Sequence, residues 1–199
     1  MNDFLAEAYE DAIAIIGMAG RFPGASDLSQ FWQNLCADVV ATSFFTAEAL
    51  IAMGHRPELV DQPNFVKAGT VLDQIGHFDA AFFGFTRRQA EHMDPQHRLF
   101  LECSWEALEN AGIVPDTQPG AIGLYAGMSA SAYHWLNLHA TLDLATPMES
   151  LQVLISNDKD HLATTVAYKL NLTGPALTIQ TACSTVTGKF QSTVSSWGT

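Results

Sequence analysis

An α/β architecture, with helices layered around a mixed or largely parallel β-sheet, is the fold class this sequence predicts, and three observations predict it. Short apolar runs of strand character recur at residues 12–18, 121–127 and 176–180. Segments with the 3.6-residue helical period lie between them, the alternation expected of strands joined by helices. No repeat, low-complexity block or linker divides the 199 residues, so one domain or half of one is the economical account.

Residues 1–10 read as a short lead-in. The run AIAIIGM at 12–18 reads as a buried strand, and GRFPGASD after it as a loop. Gly17, Gly20, Pro23 and Gly24 match neither common Gly-rich phosphate fingerprint, so a turn is expected rather than a nucleotide site. Asp27 caps a helix whose Leu28, Phe31, Trp32 and Leu35 follow the i, i+3, i+4, i+7 pattern. FVKAGTVL suggests a strand or hairpin near 65–72. The aromatic stretch containing Phe78, Phe82, Phe83 and Phe85 reads as core or interface. Asp94 and Pro95 then supply a cap and a first-turn proline for a helix running to about Ala111, with Leu101, Trp105 and Leu108 on one face and Gly112 just past its end.

The second apolar run, AIGLYAG, reads as another buried strand. A short helix is expected within 129–139, and a longer excursion over 140–156 with a helical turn at 148–155. Asn157 and Asp158 cap a helix carrying Leu162, Val166 and Leu170 at i+4 spacing. Residues 171–175, with Gly174 beside Pro175, stop it. ALTIQ forms a final strand that delivers the chain to Thr181, Ala182 and Cys183.

Hydrophobic residues make up 48% of the chain, enough to fill a core, whereas charged residues are only 15%, below the usual quarter. Such scarcity fits deep burial in an enzyme or apolar faces that something else covers. The net charge of -12 and pI near 4.7 oppose binding to nucleic acid or an anionic bilayer. No stretch reaches the roughly 18 apolar residues of a spanning helix, and the acidic N-terminus lacks the basic region of a secretory signal. The three cysteines lack zinc-site spacing and form an odd set, which points to a reducing cytoplasm and to no metal site. Cys36 and Cys103 lie on periodic apolar stretches and are expected in the core.

Cys183 is different. It follows an apolar β-run and precedes Ser184 and Thr185, at the start of the next helix, where unpaired N–H groups and the helix dipole favour thiolate over thiol. Such a thiolate attacks thioesters and stores the acyl group covalently. The same placement suits a buried cysteine among small residues. Hydrolysis, transfer and carbon–carbon bond formation could all begin from the same acyl-cysteine.

Three blocks separate these readings. DAIAIIGMAGRFPG, FDAAFFGFTRRQAEHMDPQHRLFLECSWEALENAGI and NDKDHLATTVAYKLNLTGPALTIQTACST together resemble the N-terminal half of a β-ketoacyl synthase domain of the polyketide-synthase type. The resemblance covers residues 11–185 and implies a partial thiolase-like fold, with 186–199 an atypical or truncated tail. It implies that Cys183 is the acyl-accepting nucleophile. The acyl chain would arrive on the phosphopantetheine arm of an acyl carrier protein partner, and a malonyl-type thioester would lose carbon dioxide and attack the acyl-cysteine. No cofactor is expected on this chain itself. A homo-oligomer, or a complementary ketosynthase half, is the further partner implied.

Family members supply two catalytic histidines and a lysine after the cysteine. Here His55, His77, His92, His97, His134, His139 and His161 all precede Cys183, and none falls at those positions. Full decarboxylative condensation is therefore not expected of these residues alone, and a noncatalytic structural or interaction protein derived from a condensing enzyme is the competing reading. His97 stands where many relatives have glutamine and reads as a substituted polar helix residue; His161 reads as structural. Thr165 stands where the family commonly carries a basic residue. Arg87, Arg88 and Arg98 read as solvent-facing or salt-bridged rather than as a carrier-protein or phosphate contact. The tail VTGKFQSTVSSWGT has poor helix propensity.

Overall fold

The computed structural model of the chain describes residues 13–138 and 146–181. These fall into two compact units, one of residues 20–78 and the other of the remaining described residues.

In the smaller unit, Phe22 and Ala25 exchange both backbone hydrogen bonds at 2.9 Å, closing the predicted turn over Pro23 and Gly24. Helix α1 (Leu28–Cys36) begins where the sequence places it, because Asp27 Oδ1 accepts from the Gln30 N–H at 2.8 Å. Phe31 stacks on Phe22 with ring centroids 4.0 Å apart. The periodic face is nevertheless only partly used. Trp32, Leu35 and Cys36 are exposed, which corrects the expectation that Cys36 is a core residue. Periodicity creates an apolar stripe, but burial needs a facing layer, and none of the described residues covers this one. Two short helices follow, α2 (Ala47–Ala52), capped by Thr46, and α3 (Pro57–Val60), opened by its proline. Strands β1 (Ser43–Phe44) and β2 (Ala68–Gly69) pair antiparallel, placing the strand expected near 65–72 in a two-residue ladder.

In the larger unit the run at 13–18 is not a strand among the described residues. Ile13 and Ile15 are more than 70% exposed. Apolarity favours burial, but a strand also needs a neighbouring edge for its N–H and C=O groups, and no described strand lies alongside. The segment is instead fastened at its end. The Met18 N–H donates to Asn110 Oδ1 at 3.0 Å, and Gly17 sits so close to the following long helix that a Cβ would lie 2.4 Å from the Ala107 carbonyl oxygen.

Helix α4 (Arg87–His92) opens with a capping box in which Thr86 and Gln89 satisfy each other's backbone N–H groups. Helix α5 (Pro95–Asn110) has the predicted start, capped by Asp94, and the predicted end, with Gly112 beyond it at φ 68°. It buries Phe100, Leu101 and Leu108; Cys103 is half-buried rather than enclosed. Trp105 is also half-buried and meets Phe82 edge-on at 5.0 Å, while Phe83 lies in the core. The predicted short helix near 129–139 is a single π-type turn at His134–Leu138, and the later turn is a full helix, α6 (Pro147–Asn157).

Asp158 caps a 3₁₀ turn (Lys159–His161) that leads into α7 (Leu162–Lys169). Leu162, Ala163, Val166, Ala167 and Leu170 are all buried, which realises the predicted stripe. Strands β3 (Leu124–Ala126) and β4 (Ala176–Thr178) pair parallel, with Leu124 opposite Ala176 and Ala126 opposite Thr178. Helix α7 packs on both strands. The other face of the pair is open: Tyr125, Leu177 and Ile179 are exposed, so these strands are half-buried and not buried on both faces as their apolar runs predict.

The register of the pair is set by backbone contact. The Gly174 N–H donates to the Ile122 carbonyl at 2.9 Å, and the Leu124 N–H donates to the Pro175 carbonyl at 2.7 Å. A Cβ on Gly174 would lie 2.6 Å from backbone atoms of Ile122 and Gly123. Gly174→Ala is expected to cost about 1–3 kcal/mol, because the clash is with backbone that cannot move without disturbing the ladder. Leu162→Ala is expected to cost about 2–5 kcal/mol, whereas Tyr168→Ala on the outer face of α7 should stay within about 0.5 kcal/mol. Denaturant unfolding of the three variants checks this order.

Candidate functional site

The route toward Cys183 is the end of β4. Ile179 N–H donates to the Ala126 carbonyl at 2.7 Å, so the strand remains paired to the limit of its ladder. Because the two strands are parallel, Ala126 and Thr178 end at the same edge, the side of an α/β sheet where binding groups usually collect. Thr178 Oγ1 also accepts from the Ala163 N–H at 3.2 Å, tying the strand to the first turn of α7. The chain can be followed to Thr181. Cys183 lies outside the described residues, as do His139 and the tail at 186–199.

The other chemistry-bearing residues separate into an exposed and a buried set. Arg87 pairs with Glu91 at 2.8 Å and Arg88 with Glu149 at 3.2 Å, both at the surface, in agreement with the salt-bridge reading. Arg98 departs from it. Its side chain is buried on α5, and its Nε meets no hydrogen-bond partner among the described residues. Lys169 Nζ sits 3.8 Å over the Phe85 ring and donates to the Gly84 carbonyl at 3.2 Å, and desolvation draws its pKa below the ordinary lysine value.

The buried set lies where α4, α5 and α6 meet. Asp94 Oδ1 accepts from the Gln96 N–H at 2.7 Å, while the Asp94 N–H donates to the Ser156 carbonyl at 3.1 Å. Asn157 Nδ2 donates to the His92 and Val153 carbonyls at 2.7 and 2.8 Å. The end of α4, the cap of α5 and the end of α6 are thus joined by polar bonds. Asp94, His97 and Arg98 are all buried there. Asp94 Oδ2, both ring nitrogens of His97 and Asn157 Oδ1 have no hydrogen-bond partner among the described residues. Desolvation pushes the His97 pKa below the usual histidine value, outweighing the opposite pull of Asp94.

Sequence reading identifies Asp94 as a cap but gives no sign that His97 and Arg98 are enclosed. The available signal is the spacing Asp94, His97, Leu101, Leu108, which puts His97 on the buried stripe of the same helix. Beside this joint is a cavity of about 270 Å³, lined by Phe85, Met93 and Val153 with Arg88 and Glu149 at its polar side and Thr165 from α7. Thr165, singled out as a departure, therefore borders open space. Among the described residues no group of three or more His, Cys, Asp or Glu side chains could hold a metal ion, and no helix is long and apolar enough to cross a membrane.

Comparison with known proteins identifies the surrounding fold. The family model for the N-terminal domain of beta-ketoacyl synthases matches residues 10–195. Among curated relatives, a component of the phenolphthiocerol/phthiocerol polyketide synthase of Mycobacterium tuberculosis is 42% identical over 181 residues, which are 88% of this chain and 12% of that protein. Polyketide synthase GfsE of Streptomyces halstedii is 40% identical over 183 residues, 89% of this chain and 5% of that protein. The crystal structure of ketosynthase twelve from the bacillaene polyketide synthase of Bacillus amyloliquefaciens superposes with a TM-score of 0.74 at 31% identity, covering 86% of this chain and 29% of that one. The module 1 ketosynthase of the bacillaene synthase from the same species gives 0.74 at 32% identity, covering 88% of this chain and 30% of that one. The chain thus spans a small part of the curated relatives and under a third of these solved ketosynthases, and its fold is thiolase-like. With the matching family model spanning nearly all of its residues, the chain belongs to the beta-ketoacyl synthase family through that family's N-terminal domain.

Proposed function

We propose that Cys183 is the acyl acceptor of a polyketide-type ketosynthase. The observation that carries the reading is the match of the family's N-terminal domain model through residues 10–195, a span that includes TACST at 181–185. The parallel β3–β4 pair supports it, because β4 ends at Thr178 on the C-terminal side of the pair, five residues before Cys183 in sequence. In the acylation step the Cys183 thiolate attacks the carbonyl of an acyl thioester. The tetrahedral intermediate then expels the thiolate of the phosphopantetheine arm on an acyl carrier protein and leaves a thioester on Cys183.

Condensation asks for more. A malonyl-type thioester must lose carbon dioxide, its carbanion equivalent must attack the acyl-cysteine carbonyl, and developing negative charge needs donors on both carbonyls. Residues 184–199 contain no histidine, and the family's histidine pair follows the cysteine. The 199 residues are therefore proposed to acylate without condensing unless further ketosynthase sequence, in the same or a complementary chain, supplies those donors. A copy of the same chain is the other partner proposed. The open apolar face made by Tyr125, Leu177 and Ile179 favours a second reading, an interaction module derived from a condensing enzyme.

Intact-mass analysis after incubation with an acyl thioester separates the two. A single acyl adduct is expected on the parent chain and on Cys36→Ala and Cys103→Ala, and none on Cys183→Ala. Malonyl thioester alone should give no carbon dioxide above background. Absence of a Cys183-dependent adduct on folded protein would leave only the interaction reading.

A further inference from the structure

We infer that His97 makes the joint of α4, α5 and α6 an acid-sensitive lock, closed while its buried ring is neutral and loosened when the ring takes up a proton. The inference goes beyond the acyl chemistry of Cys183 and does not depend on it.

The geometry makes protonation there unfavourable in three ways. His97 is 2% exposed, so a charged ring would be cut off from water. Neither ring nitrogen makes a well-formed hydrogen bond among the described residues, and although the Asp158 backbone favours the charged ring, one acceptor cannot satisfy both N–H groups that a protonated ring carries. His97 also lies in the first turn of α5, near the positive end of the helix dipole.

The neighbouring charges act in both directions. On α5, Asp94 attracts a charged ring, and Arg98 places a buried cation next in sequence. From the turn after α6, Asp158 attracts and His161 repels. Lys159 and Asp160 in that turn pair with each other at 2.9 Å, and His92 at the end of α4 lines the neighbouring cavity. Burial outweighs the two carboxylates and the hydrogen bond to the Asp158 backbone, and the net shift of the His97 pKa is downward.

The sign follows from proton linkage. A histidine whose folded pKa is depressed binds fewer protons folded than open. Its contribution to closure is therefore intact above the open-state pKa and is lost as pH falls below it. With an ordinary histidine value of 6.5 in the open state, one such group increases local opening as pH falls through that value, by no more than about tenfold between about pH 7.5 and about pH 5.5. Opening here releases the bonds from Asp94 to Ser156 and from Asn157 to His92 together, because all lie in one joint.

Hydrogen exchange read by mass spectrometry on the full chain tests this, using protection factors so that intrinsic exchange cancels. Protection over residues 92–100 and 153–161 should fall more than about twofold, and by no more than about tenfold, on acidification, while residues 47–52 in the smaller unit change less than about twofold. His97→Gln keeps a polar side chain without a titration in this range, and the acid response over both segments should disappear. His97→Met, of similar bulk and also non-titrating, must behave the same way, which covers failure of either variant to fold. Asp94→Asn retains a helix cap but removes an attracting carboxylate, so its acid response should become steeper. An unchanged acid response in a folded His97 variant, a gain of protection at low pH in the parent, or a flatter response in Asp94→Asn would each overturn the inference.

Discussion

The seating of α7 on the parallel pair β3–β4 is the packing on which the larger unit depends. Leu162, Ala163, Val166, Ala167 and Leu170 put one continuous apolar stripe under cover, and small alanines between the branched residues let helix and strands approach closely. The same contact satisfies a polar group. The Ala163 N–H, one of the donors a helix leaves unpaired in its first turn, finds Thr178 Oγ1 on β4. Helix, turn and strand therefore hold one another in register, and the direction of β4 is a consequence of that packing.

The joint between α4, α5 and α6 works by a different principle. It is held by bonds from side chains and backbone at helix ends, where carbonyls and N–H groups would otherwise be orphaned. Asn157 and Asp94 satisfy several of them at once. Enclosing Asp94, His97 and Arg98 beside those bonds is costly, since charged and unpartnered polar atoms lose hydration without full replacement. Stability and geometric definition are in tension at this point. The apolar core around α7 supplies the former, and the polar joint supplies the latter.

Low charge content acquires a structural meaning alongside these features. Tyr125, Leu177 and Ile179 form an exposed apolar face on a parallel strand pair, an element usually covered on both sides. Ile13 and Ile15 are exposed as well. With only 15% of its residues charged, the chain has few charges with which to break up such apolar surface.

Local signals were enough for much of the architecture. Asp27, Asp94 and Asp158 each start a helix or helical turn where their spacing indicates, since a cap depends only on residues two or three positions away. The repeat of Leu162, Val166 and Leu170 and the stop at Gly174 and Pro175 were equally legible, and the motif blocks carried the family. What the tertiary structure alone decided is which apolar and polar groups are enclosed. Trp32, Cys36 and Ile15 have sequence patterns suited to burial yet lie exposed, whereas His97 and Arg98 look like surface residues and are buried. The physical reason is the same in both directions: periodicity assigns a residue to a face, but only a second element packed on that face removes it from water. Cys183 remains a reading of motif and family, reached by a strand whose parallel register no single segment of sequence contains.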